Sequence, residues 1–141
     1  MVMTITARIG HLGIEVSEVA ASRKFYDVLL GSLGFRLIAE SEEYAGYSDG
    51  STQVWIARSG PRRVSRLPPS GDEEVVSEHV AFLVEGRGVV DRVSSEMGRN
   101  GFRPLFPPEP HPEFVEGYYA VSFKDPDHFV IEVYAIEAKR G

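Results

Sequence analysis

Two stretches of this chain repeat one another in register. From His11 it reads HLGIEVSEVAASRKFYDVLLGSLGFRLI, and from His79 it reads HVAFLVEGRGVVDRVSSEMGRNGFRPLF. Each copy opens on a histidine, runs through an apolar alternation and passes into a helical pattern. Each ends on Gly-Phe-Arg, at Gly34-Phe35-Arg36 and at Gly101-Phe102-Arg103. A tripeptide shared by chance would rarely fall in register with a second shared histidine. A registered repeat restricts the fold to two copies of one supersecondary unit.

The local reading is the same in both copies. Ile14 and Val16, and then Val80, Phe82 and Val84, alternate as half-buried strands do. Ser17 is the expected N-cap of the first helix. Phe25, Leu29 and Leu33 form one apolar helical stripe, and Val89, Val93 and Met97 form the other. Gly34 and Gly101 stand where a helix end favours a left-handed residue. The segment Phe35 to Ile38 and the run around Leu105 read as returning strands. Each copy then adds two more strands around a tight turn. In the first, EYAGYS leads through Asp49-Gly50 to TQVWIA. In the second, GYYAVSF leads through Asp125-Pro126-Asp127-His128 to FVIEVY.

Each half therefore reads β-α-β-β-β. The expected fold is α+β, with two tandem βαβββ modules at about 8–57 and 77–136 in a single domain over 1–141. Their curved sheets should form a cleft. Between them SGPRRVSRLPPSGDEE, rich in Pro, Gly, Ser and charge, makes 58–76 a flexible linker. The stretch FPPEPHPEF, residues 106–114, reads as a proline-stiffened loop.

Composition narrows the function. A length of 141 residues suits one domain with its own core. With no cysteine there is no disulfide, thiolate metal site or cysteine nucleophile. A formal charge of −6 without a basic run argues against nucleic acid as a partner. No apolar stretch reaches the roughly 18 residues of a membrane span. The start MVMTITARIGHLGIEV lacks the pattern of a signal peptide, so a cytoplasmic location is expected.

The chemistry-bearing residues are few. His11 and His79 begin equivalent strands, and the repeat brings them to equivalent positions about a pseudo-two-fold axis. Glu132 sits among apolar neighbours in Phe129–Tyr134. A carboxylate facing an interior must be paired, protonated or metal-bound. Two imidazoles and one carboxylate form the facial triad of non-haem iron and the donor set of His₂Glu zinc sites. Taken singly, a strand histidine is more often a satisfied polar residue, and Glu132 on an edge could face solvent. The registered repeat favours ligation.

Taken together, the His11 strand, the passage SRKFYDVLLGSLGF, the His79 strand and DPDHFVIEVY resemble the vicinal oxygen chelate superfamily over about residues 8–136. That superfamily includes glyoxalase I, fosfomycin-resistance thiol transferases, extradiol dioxygenases, methylmalonyl-CoA epimerase and bleomycin-resistance proteins. The resemblance implies a divalent metal ion (Zn, Fe, Mn, Ni or Mg) held by His11, His79 and Glu132. A small oxygen-rich substrate would chelate it, and lyase, isomerase and dioxygenase chemistry all stay open. The alternative is a metal-free antibiotic- or metabolite-binding protein of the bleomycin-resistance kind. Homodimers are common in the family.

Departures from the family pattern matter. Where glyoxalase I has a further ligand on the last strand of its first module, pseudo-symmetry with Glu132 points to Trp55, which cannot ligate, with Gln53 on the same face. Where extradiol dioxygenases carry a tyrosine, the nearest position here is Ser122, with Tyr118 on the same face. His128 replaces the usual turn glycine and is read as a turn residue. Substrate-binding candidates are Trp55, His111, Tyr118 and Ser122; Phe114 and Tyr119 could also line the cleft. His111 is additionally a candidate for acid–base work. Arg36 and Arg103 are read as surface or structural residues.

Overall fold

The computed structural model describes residues 6–58, 60, 64, 66 and 78–138. The first module comprises β1 (His11–Glu15), α1 (Val19–Ser32), β2 (Arg36–Glu40), β3 (Tyr44–Ser48) and β4 (Gln53–Ala57). The second comprises β5 (His79–Leu83), α2 (Arg87–Arg99), β6 (Phe106–Pro110), β7 (Tyr118–Lys124) and β8 (Val130–Ile136). Each forms a four-stranded sheet, ordered β1-β4-β3-β2 and β5-β8-β7-β6. The helix forces a crossover, so β1 lies parallel to β4 and β5 parallel to β8, while the remaining pairs are antiparallel. The α+β tandem architecture is the one the repeat dictates. No helix among the described residues is long and apolar enough to cross a membrane.

The repeat extends to backbone detail. Gly34 and Gly101 both adopt φ of 86° at the end of their helices. The following phenylalanines close each helix in the same way. Phe35 N–H donates to the Leu30 carbonyl at 2.9 Å, and Phe102 N–H donates to the Met97 carbonyl at 3.0 Å. A left-handed residue permits this closure, and glycine meets no Cβ penalty there. The Gly-Phe-Arg repeat is thus a helix stop followed by a core anchor.

Those anchors reach across the molecule. Phe102 meets Phe25 of α1 edge-to-face with centroids 5.5 Å apart, and Phe35 meets Phe82 of β5 at 5.8 Å. α1 packs on α2, and Phe25, Leu29, Val93, Met97, Phe123 and Ile131 belong to one continuous core. A polar latch adds to it. The Asp-Pro-Asp turn of module two sits at the start of module one, where Asp127 Oδ2 accepts from Ser17 N–H at 2.8 Å and Asp125 Oδ2 accepts from the Tyr26 hydroxyl at 2.6 Å. Asp125 Oδ1 also accepts the N–H groups of Asp127 and Phe129. These buried carboxylates are compensated by hydrogen bonds, as burial demands.

Several local expectations change. Ser17 does not cap α1 with its side chain: the N-cap is Glu18, and Ser17 Oγ accepts from Val64 N–H at 2.8 Å. In α2 the buried stripe is Val90, Val93 and Met97, with Val89 only half buried. Residues 106–110 are strand β6, not loop. Its pairing with β7 is interrupted between Phe106 and Glu109, as that of β2 with β3 is between Leu37 and Ala39, and an edge strand with a bulge accommodates prolines that lack an N–H donor. The linker read at 58–76 lies mostly outside the described residues.

Candidate functional site

Strand parity decides which side chains meet. In each sheet one face packs on a helix, and the other is open. On the open face of the second sheet, His79 starts β5 while Glu132 sits mid-strand in the adjoining β8, opposite Ala81 on one side and Ser122 of β7 on the other. His79 Nε2 lies 3.6 Å from Glu132 Oε2. Glu132 is mostly covered, its side chain 13% exposed, so its charge needs the partners it has. The Tyr118 hydroxyl, two residues beyond Ala120 on β7, donates to Glu132 Oε1 at 2.6 Å. Burial first, and this bond second, hold the Tyr118 hydroxyl above the ordinary phenol range, so it remains a donor.

A cleft of about 520 Å³ opens over this pair. His79, Glu132, Ser122 and Ala120 belong to its sheet, Phe106 and Val130 flank them, and Glu109, His111, Glu113, Phe114 and Tyr118 complete it. Among the described residues no lysine or arginine lines it. His111 stacks on Phe114 with centroids 5.2 Å apart and planes 17° apart, and meets the Tyr118 ring edge-on. Its Nδ1 lies 2.9 Å from Glu113 Oε1, and its Nε2 lies 3.6 Å from Glu109 Oε1. The bond to His111 draws the Glu113 carboxyl below its ordinary pKa.

The chain thus brings together His79, Glu132, Tyr118, Ser122, His111 and Phe114. It does not bring His11 to them. His11 is exposed at the start of β1, on the open face of the first sheet, and is not among the residues lining the cleft. No group of three or more His, Asp or Glu suited to a metal ion forms among the described residues of one chain. Trp55 likewise stays with the first sheet. It lies flat on Gly46, where any Cβ would fall 2.5 Å from the ring, and its Nε1–H donates to Gln53 Oε1 at 2.9 Å. Strand register makes Trp55 the counterpart of Glu132: Trp55 pairs with Gly13 of β1 and Glu132 with Ala81 of β5. The carboxylate of module two is therefore replaced in module one by an aromatic platform.

Other candidates fall outside the cleft. Tyr119 points the opposite way on β7, donating to Asp91 of α2 at 2.6 Å beneath the Arg87 guanidinium. His128 adopts φ of 66° in its turn. Arg36 and Arg103 are exposed. Sequence reasoning passed over Glu109 and Glu113, although Glu-Pro-His-Pro-Glu carried the signal. Glu109 reaches His111 from the end of β6, and the turn that follows folds Glu113 back onto the ring.

Comparison with known proteins places this geometry. The chain is 28% identical over 131 residues to the uncharacterised protein YqjT of Bacillus subtilis (strain 168), covering 89% of this chain and 96% of that one. The crystal structure of a putative glyoxalase from Bacillus halodurans superposes with a TM-score of 0.70 at 26% identity, over 90% of this chain and 94% of that one. Lactoylglutathione lyase from Agrobacterium tumefaciens shares the fold at a TM-score of 0.67 and 15% identity, over 94% and 96% of the two chains. The family model for the Glyoxalase/Bleomycin resistance protein/Dioxygenase superfamily matches residues 8–133, and the chain belongs to that superfamily.

Proposed function

We propose that this protein is a metal-dependent enzyme acting on a small, oxygen-rich molecule in the cleft of the second module. The observation that carries the reading is the His79–Glu132 pair. Two donors sharing a tetrahedral ion at about 2.1 Å stand about 3.4 Å apart. The 3.6 Å between Nε2 and Oε2 fits that spacing and exceeds a hydrogen bond. An imidazole and a carboxylate suit Zn, Fe, Mn, Ni or Mg.

His11 is the proposed third ligand, supplied by a second copy of the chain. It occupies in module one the position of His79 in module two, and it is exposed on the open face of its sheet. Ile9, two residues before His11, and Leu83, at the other end of β5 from His79, are 61% and 64% exposed, apolar surface that a second copy would cover. Apposing the first sheet of one copy to the second sheet of another would also bring the Trp55 platform over the cleft.

A divalent ion at this site supplies Lewis acidity toward a substrate oxygen. The chain's own groups do the rest. Tyr118 fixes the Glu132 carboxylate through Oε1 and leaves Oε2 directed at His79. Ser122 offers a hydroxyl beside Glu132 and His111 a polar contact in the same cleft, and Trp55 of the second copy would add a wall. Phe106, Phe114 and Val130 exclude water from the bound molecule. Lyase, isomerase and dioxygenase chemistry are each compatible with these parts.

A mixing experiment tests the shared site. His11→Ala and Glu132→Gln proteins, each deficient in Co(II) retention alone, should regain retention when unfolded and refolded together. Retention that stays absent in the mixture rejects the shared site.

One observation favours a second reading. Glu109, Glu113 and Glu132 line an aromatic cleft that has no lysine or arginine among its described residues, which suits a cationic ligand held without metal, as in a sequestering protein. A thermal shift produced by a cationic aromatic antibiotic in excess chelator would favour it over the enzyme.

A further inference from the structure

We infer that His111 is an imidazole base built into the cleft, with Nε2 as its working atom and Glu113 as the residue that orients it. This inference rests on the enzymatic reading of the cleft but not on the metal. The ring is held on several sides. Its face stacks on Phe114, its edge meets Tyr118, and its own backbone N–H donates to the Tyr118 carbonyl at 2.8 Å. Glu113 Oε1 stands 2.9 Å from Nδ1. An ionised carboxylate only accepts, so Nδ1 carries the hydrogen, and in the tautomer that acts as a base the lone pair lies at Nε2.

Nε2 is turned toward Glu109 Oε1 at 3.6 Å, too far for a direct bond. That gap borders the cleft, so a substrate X–H group or a water can enter it. The groups facing the ring are Glu109 from β6, Glu113 from the following turn and Tyr118 from β7. In the step, a substrate O–H or acidic C–H bond breaks, the proton goes to Nε2 and the bonding pair stays on the substrate atom. The imidazolium so formed lies between two carboxylates. Return of the proton restores the neutral ring.

A purely structural role accounts for less. The Glu113 and Glu109 side chains are 59% and 42% exposed, and ion pairs at such positions add little to stability. Orientation of a base uses the same contacts more fully.

Two measurements test the inference on the full chain with chelator present, so neither depends on metal retention. In ¹⁵N spectra of the histidine rings above neutral pH, His111 should show the Nδ1–H tautomer, and Glu113→Ala should shift it toward Nε2–H. An Nε2–H tautomer in the unaltered protein overturns the assignment. The second uses 5-nitrobenzisoxazole, a planar probe whose ring C–H proton is removed by a base. The C–H pair forms the nitrile, the N–O bond breaks, and its pair leaves on the phenolate. Saturable turnover should fall about a hundredfold in His111→Ala, the scale of a lost general base. A rate no higher than free imidazole gives, or one unchanged by His111→Ala, overturns the proposal and leaves the metal reading standing.

Discussion

The Tyr118 hydroxyl donates a 2.6 Å hydrogen bond to Glu132 Oε1, leaving Oε2 turned toward His79. A carboxylate restrained at one oxygen presents the other in a fixed direction, which is what an outer partner of a metal ligand supplies. Tyr118→Phe keeps the ring stack on Tyr134 at 4.8 Å and removes only the donor. Isothermal titration with Zn(II) should show affinity reduced by about 10–100-fold, the usual cost of losing such a partner. Equal affinity in the variant would mean that Glu132 needs no such restraint.

The seam between modules should be the most sensitive part of the core. Phe25 is 1% exposed and touches both Tyr26 and Phe102 edge-to-face. Phe25→Ala should cost about 3–5 kcal/mol by urea denaturation, from lost burial and the cavity left behind. Tyr26→Phe should cost about 1–3 kcal/mol, since Asp125 Oδ2 loses its hydroxyl donor in a buried site. A cost near zero for both would contradict the view that the two modules share one core.

Alkaline pH should unfold the protein through its tyrosines. Burial is the first cause raising the Tyr26, Tyr47 and Tyr118 hydroxyls, reinforced by Asp125, Asp27 and Glu132 respectively. A group whose folded pKa is raised stabilises the fold below its unfolded pKa. For tyrosine that is about 10, and the stabilisation is lost as pH climbs through the folded value. Absorbance at 295 nm should therefore rise by only part of the six-tyrosine amplitude before circular dichroism is lost, the rest appearing with unfolding. Full amplitude in the folded state would contradict this.

The single tryptophan reports on the open face of module one. Because Trp55 lies on Gly46, Gly46→Ala must displace the ring, and emission should shift to the red as the indole meets water. Emission identical to that of the unaltered protein would show that the ring does not rest there.

Much of this fold was legible because the repeat is carried by residues with one physical meaning. Gly34 and Gly101 mark helix ends, and the phenylalanines after them anchor the core, so strand and helix order followed directly. Residues 106–110 were not legible as a strand. Three prolines mask β periodicity, and only tertiary pairing with β7 holds the segment extended. Tyr118 and Ser122 could be assigned to one face from strand parity, whereas Glu132 could not be oriented that way because both faces of its strand look apolar apart from it. Where His11 goes could not be assigned, because the helices and not the open sheet faces join the modules, a choice set by Phe25, Phe35, Phe82 and Phe102 together. Glu109 and Glu113 went unnoticed because surface carboxylates are common and only their spacing about His111 distinguishes them.

Metal retention tests the central claim most directly. After loading with Co(II) and exhaustive dialysis, elemental analysis of the unaltered protein should find a stoichiometric ion, with none in His79→Ala of unchanged circular dichroism. An unaltered protein that emerges free of cobalt, or a His79→Ala variant that keeps as much, would contradict the account.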